Sequence, residues 1–320
     1  MFPRRLALVV AGLAFGSLVA AADPLPGTAP LTWDGDPAAR VVGAIDRYLD
    51  ARMETVVADR APLWTGDQSV ARRARLREIL GVIDAREPVS MRFTAPVPGN
   101  GGNAAALLAR GSNFRVFAVS WNVFRGVEGE GLLLVPDGSA AADVVLVPDC
   151  DSSPEALAGL GKDAAGGKAF GVRLAEAGCR VVIPVLLDRA TTNGGNPGYR
   201  HMEHSQRETL WRAAYEVGRT PTGYDVEKVL AAADWLVATG ADTGPNRKLA
   251  VAGHGEGGRV ALHAAAIDAR FSAALVAGYF QPREQQWREP IDRNAWTYIR
   301  DFGDAEIASL VSGPLVIEDG

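Results

Sequence analysis

Leu249-Ala250-Val251-Ala252-Gly253-His254-Gly255-Glu256-Gly257-Gly258 is the stretch on which the fold of this chain turns. Its first four residues are apolar without alternation, as in a strand covered on both faces. Four glycines crowd the next six positions, and the small-residue segment 258–267 then reads as a helix. A tight strand-to-helix turn needs glycine twice over, because one residue must tolerate strained dihedrals and the two backbones must approach closely.

Working outward, short β-rich runs alternate with helical stretches. Strands are predicted at 144–147, 181–187, 249–252, 273–277 and 315–317, and helices at 167–177, 224–238 and 258–267. Such alternation predicts an α/β fold: a mostly parallel central sheet with crossover helices on both faces. A hairpin opens it, with arms at 116–123 and 131–135 and with Gly126 and Gly129 in its turn. Helix 224–238 carries Val226, Val229, Leu230, Ala233 and Leu236 on one side and Gly240 just past its end, as a core helix should. Upstream, residues 23–37 read as an extended lead-in. Val41, Val42, Ile45, Tyr48, Leu49 and Met53 recur at helical spacing, as do Leu76, Ile79 and Leu80 before Gly81. Both helices are expected to pack on the main domain. The predicted organisation is a signal peptide at 1–22, a lead-in and helical flank at 23–110, and the α/β domain at 111–320.

Of the 320 residues, 48% are hydrophobic and 22% charged, which excludes a disordered or coiled-coil chain and allows a large core. The formal charge of −5 comes without a basic stripe, so nucleic acid is excluded as a partner. Arg4 and Arg5, the apolar run 6–19 and Ala20 to Ala22 have the order of a secretory signal, predicting an exported, periplasmic or extracellular protein. No other stretch approaches the ~20 apolar residues of a membrane span. The two cysteines, Cys150 and Cys179, fall at opposite ends of neighbouring parallel strands, beyond the reach of a disulfide, and are expected as free thiols.

Two chemistries use a strand, a glycine turn and a helix in this way. One is the nucleophile elbow G-x-S-x-G; the other is the dinucleotide fingerprint G-x-G-x-x-G, which Gly253, Gly255 and Gly258 satisfy literally. The dinucleotide turn normally follows the first strand of its unit, with a carboxylate ending the next strand. Here the turn follows several strands, and the next one runs into Gly278, Tyr279 and Phe280. With the elbow, the stretch from Gly223-Tyr224-Asp225 to Trp235, and the segment from Asp304-Ala305-Glu306-Ile307 to Pro314-Leu315, the chain from about Val116 onward resembles the α/β-hydrolase superfamily. Within it, the closest resemblance is to the dienelactone hydrolase and acetyl xylan esterase-like branch, in its exported bacterial form with G-x-G-E-G-G at the elbow. The resemblance implies an esterase ancestry, yet Gly255 stands where the serine nucleophile belongs and cannot form an acyl intermediate. The family's acid and histidine would follow strand 315–317. If Gly320 is the natural terminus, the final strand and helix are expected to be missing and the sheet edge to need a covering domain or partner; the sequence equally suits the first half of a longer protein.

Substitutes within the chain are few. Glu256 is a candidate base beside the turn, although an exposed carboxylate at a helix start also suits the helix dipole. His254 shares the turn. Cys150 sits where the loop after strand 144–147 would help form an oxyanion hole, but its neighbours Asp149 and Asp151 should raise its pKa, the wrong direction for a nucleophile. Asp188 and Arg189 end strand 181–187 at the same rim, and loop 191–198 with Tyr199 could wall a pocket. His201 and His204, with Glu203 between them, have metal-ligand spacing without a second cluster to complete a site, and His263 reads as a packed helix residue. No metal or cofactor is expected. Three readings remain. The first is a binding or scaffold domain for a carbohydrate ester, another small molecule or a partner; the second is an ester or glycan-ester hydrolase using Glu256 and His254 or sequence beyond Gly320. The third is a nucleotide-binding enzyme acting through residues 253–258.

Overall fold

The structure, a computed structural model, describes residues 25–29, 35–94, 107–161, 169–191, 204–240 and 247–319. Residues 1–22, expected as a signal peptide, most of the 191–198 loop, Tyr199, His201 and Glu203 lie outside them. The chain divides into two compact units, residues 1–51 and 52–320.

In order, the elements are α1 (Pro37–Arg60), α2 (Ser69–Leu80), β1 (Met91–Phe93), β2 (Leu107–Arg110), β3 (Phe114–Phe124), β4 (Val127–Pro136) and β5 (Ala142–Val147). Then come α3 (Pro154–Leu157), α4 (Phe170–Glu176), β6 (Cys179–Pro184), α5 (Gln206–Glu216), α6 (Pro221–Gly240), β7 (Lys248–His254) and α7 (Glu256–Ile267). The last are β8 (Phe271–Ala277), α8 (Tyr298–Asp301), α9 (Asp304–Ala308) and β9 (Leu315–Glu318). The strands form one sheet in the order β1-β3-β4-β6-β5-β7-β8-β9, with β2 also pairing β3. Strands β6, β5, β7, β8 and β9 run parallel, while β4 joins β6 antiparallel.

Apolar runs without alternation were the mark of buried strands, and the structure shows why. Val145 and Val147 of β5 face a core built with α2, α6 and α7, including Leu76, Leu80, Val226, Leu230, Val260 and Leu262. Val144 and Leu146 face the opposite core, with Ala158, Ala175, Val181 and Ile183. Each such strand therefore buries both sides. Residues of α6 and α7 are buried along most of their length.

Some expectations are corrected. The hairpin turn lies at Arg125-Gly126, and Gly129 is a strand residue opposite Trp121. A Cβ at Gly129 would meet the Trp121 ring at 2.4 Å, so this glycine makes room for an indole whose Nε1 donates to the Lys228 carbonyl at 3.1 Å. Within the larger unit, the end of α1 buries Val56 and Arg60. Strands β1 and β2 carry the sheet back before residue 111, because short edge strands lack a periodic signal. At the other edge, β9 pairs with β8, and Val316 and Ile317 are exposed. Cys179 opens β6 opposite Ala142, whereas Cys150 lies past the far end of β5; both thiols are free. Among the described residues, no helix is long and apolar enough to cross a membrane.

Candidate functional site

Strand β7 lies in the middle of the parallel sheet and delivers residues 253–257 to its C-terminal rim, where α7 begins. Gly255 occupies the corner with φ 58° and ψ −123°, a conformation few residues other than glycine adopt. Its N–H donates to the Ala277 carbonyl at 2.9 Å, pinning the corner to β8. Backbone approach is as tight as the sequence requires: a Cβ on Gly253 would lie 2.0 Å from the Gly257 carbonyl oxygen. At a nucleophile elbow this corner raises the reacting side chain above the sheet. Here no side chain rises from it.

The space above the corner is filled from the loop after the neighbouring strand β5. A Cβ on Gly255 would meet Asp149 Cγ at 2.8 Å, Oδ1 at 2.9 Å and Oδ2 at 3.0 Å. Asp149 Oδ1 accepts from the Cys150 N–H at 2.8 Å and from the Glu256 N–H at 3.0 Å. One donor comes from the loop after β5 and the other from the residue after the corner. These are the two sources of an oxyanion hole at an elbow. The start of α7 also favours negative charge there. Phosphate binding at the same helix start would have to displace a carboxylate, which counts against the dinucleotide reading.

Glu256 is corrected outright. Read as an exposed turn carboxylate, it is 0% exposed. Its Oε2 accepts from Arg189 Nη2 at 2.9 Å and Arg293 Nε at 2.8 Å, and its Oε1 pairs with Arg207 Nη2 at 3.4 Å and Arg259 Nη1 at 3.9 Å. Burial alone would raise its pKa, but the guanidiniums of Arg259, Arg207, Arg293 and Arg189 outweigh that and hold the carboxyl well below its ordinary range. Such a group stays ionised and fully engaged, so it is a poor general base.

The network extends away from the corner. Arg207 of α5, fully buried, donates to Asp225 Oδ2 at 2.7 Å, Asp292 Oδ2 at 2.8 Å and the Leu187 carbonyl at 2.8 Å. Sequence reasoning missed Arg207, Arg293 and Asp292, because nothing in a sequence marks an arginine as buried. Arg189, expected as a pocket liner, bridges instead: it reaches Glu256, Asp292 at 3.2 Å and Cys150 Sγ at 2.9 Å. Cys150 is buried, and its thiol is pushed up to about 12. Burial is the main cause, with Asp149 and Asp151 adding to it against the pull of Arg189 and Arg207. A thiol so raised is not a nucleophile at neutral pH. Asp151 accepts from the Arg189 N–H at 3.2 Å, and Asp188 accepts from the Ala190 N–H at 3.0 Å and Gln206 Nε2 at 2.8 Å, so both serve to shape loops.

A groove of about 450 Å³ opens beside the corner, lined by Asp149, His254, Ser152, Leu157, Phe170 and Glu318 among others. His254 is exposed, and its imidazole has no hydrogen-bond partner among the described residues. Ser152, Phe170 and Glu318 carried no signal in the sequence. Of the paired histidines, His204 bonds Glu208 at 3.0 Å and lies apart from this groove. His263 is buried in α7 between the Arg259 carbonyl at 2.7 Å and the Tyr298 hydroxyl at 2.9 Å.

Solved structures share this architecture. The fold is that of the α/β-hydrolases. Similar structures include a Bacteroides fragilis protein assigned as an acetyl xylan esterase (TM-score 0.58, 15% identity, covering 78% of this chain and 66% of that one). A glucuronoyl esterase from Solibacter usitatus matches with TM-score 0.51 and 15% identity over 81% of this chain and 75% of its own. A methylesterase matches with TM-score 0.52 and 13% identity, and this chain spans 55% of its length. No sequence-family description matches the chain, and no curated protein matches it in sequence. At such identities the likeness carries the fold and nothing finer.

Proposed function

We propose that this chain is an exported α/β-hydrolase-fold domain of the dienelactone hydrolase and acetyl xylan esterase-like branch that binds an ester-bearing carbohydrate, or a partner presenting one, without cleaving it by acyl-serine chemistry. The single observation that carries the reading is the corner itself: Gly255 holds the strained conformation of an elbow, and the carboxylate of Asp149 lies where a nucleophile would project. An acyl intermediate needs a nucleophile at that corner and free N–H donors for the developing oxyanion. The first is absent here, and the second are bonded to Asp149.

The ligand class is supported by the glycan-ester names of the similar structures and by the groove, which combines Phe170 and Leu157 with the polar tips of His254, Ser152 and Glu318. Export is supported by Arg4, Arg5 and the apolar run that follows them. The exposed residues of β9 support a covering domain or partner along that edge. A hydrolase reading built on Glu256 as base loses its base to four arginines.

The test is turnover of p-nitrophenyl acetate by purified residues 23–320. The expected rate is that of buffer and unchanged by His254→Ala. A saturable rate that His254→Ala abolishes would overturn the reading.

A further inference from the structure

We infer that Asp149 is a built-in stopper: its carboxylate occupies an otherwise intact anion hole at the corner, and Gly255 is the residue that makes room for it. The inference rests on the proposed reading of the corner as an elbow and adds how the hole is closed. Two N–H groups from separate segments, the loop after β5 and the start of α7, converge on one oxygen, Asp149 Oδ1, at 2.8 and 3.0 Å. Convergent N–H donors of this kind bind the anionic or carbonyl oxygen of a ligand. The arrangement is not explained by charge pairing, since no arginine or lysine bonds Asp149 among the described residues, although Arg189, Arg207 and Arg293 all gather on Glu256 next door. The fit is reciprocal, because three atoms of Asp149 lie within 3.0 Å of where a Cβ on Gly255 would stand. Asp149 also lines the groove, so a ligand entering there meets the stopper before it meets the donors.

The ligand chemistry excluded by the stopper is that of a small carboxylate or ester carbonyl. Entry requires the Asp149 side chain to rotate away and give up both hydrogen bonds. No covalent bond is made or broken in the process; one oxygen acceptor replaces another.

The experiment follows the Cys150 and Glu256 backbone amides by NMR while sodium acetate is titrated into the full chain, with sodium chloride at matched ionic strength as control. In the unaltered protein both amides are expected to stay fixed. In Asp149→Ala they move together and saturate, with an apparent affinity for acetate at least tenfold tighter than in the unaltered protein. Asp149→Asn keeps the shape and an acceptor oxygen but loses the charge. It is expected to shift both amide protons upfield without acetate, and this comparison decides the matter should the alanine variant fail to fold. The inference is overturned if acetate leaves both amides of a folded Asp149→Ala unmoved, if chloride moves them equally, or if Asp149→Asn shifts neither. Esterase turnover by the unaltered protein would refute the binding reading instead, and it is measured separately.

Discussion

Placing serine at Gly255 is the perturbation whose cost the structure specifies most fully. A side chain there inherits φ 58° and ψ −123°, and its Cβ falls 2.8 to 3.0 Å from three atoms of Asp149. Backbone strain of this kind costs roughly 1–3 kcal/mol. Driving Asp149 from two N–H groups gives up charge-assisted hydrogen bonds of about 1.5–3 kcal/mol each, part of which water restores. Gly255→Ser is therefore expected to lose roughly 3–6 kcal/mol of folding stability, measured by urea denaturation at neutral pH with the slope checked for constancy. The double variant Asp149→Gly/Gly255→Ser separates the two terms. It retains the strain but loses the collision, so it should be more stable than the sum of the single effects by about 1–3 kcal/mol. A Gly255→Ser protein within about 0.5 kcal/mol of the original, or strict additivity in the double variant, would refute the idea that residues 149 and 255 are a matched pair.

Other expectations follow from the buried groups. Glu256→Gln leaves Arg207 and Arg259 short of a counter-charge in a buried site and should cost about 3–5 kcal/mol in denaturant melts. Because the Glu256 pKa is depressed on folding, its stabilisation is complete above its unfolded value and is lost as pH falls through the acid range; the Gln variant should therefore show a flatter acid limb in Tm against pH. His263, lowered to about 3 mainly by burial, should show no protonation shift by NMR as pH is lowered to about 4, and its contribution to stability should weaken below about 6.5, where the unfolded histidine binds a proton. Cys150, pushed up to about 12, should resist iodoacetamide at pH 8 in the native protein and react on unfolding, as read by peptide mass spectrometry. Gly129→Ala should lose roughly 1–3 kcal/mol, because the Trp121 ring lies 2.4 Å from the added methyl; an unchanged melt would contradict the packing described.

The central sheet was legible because its parallel strands are covered on both faces, which writes long apolar runs into 144–147, 181–187 and 249–252, and because helix α6 repeats its apolar residues with helical period. Strands β1 and β2 left no such mark, being short, edge-placed and half exposed. At the corner, the spacing of Gly253, Gly255 and Gly257 gave the turn, and the lack of a serine was plain. What could not be read was the partner of each charge. Glu256 looked like a surface carboxylate because its counter-ions come from positions 189, 207, 259 and 293, three of them far away in sequence. The role of Asp149 was hidden for the same reason: its carboxylate meets Glu256 N–H across 107 positions of chain.

The central claim is that the crest of this sheet carries no nucleophile. The most direct measurement is intact-mass and peptide mass spectrometry after prolonged exposure of the purified chain to a fluorophosphonate probe. No added mass is expected on residues 253–257 or on the groove-lining Ser152. A stoichiometric adduct on any of them would contradict it.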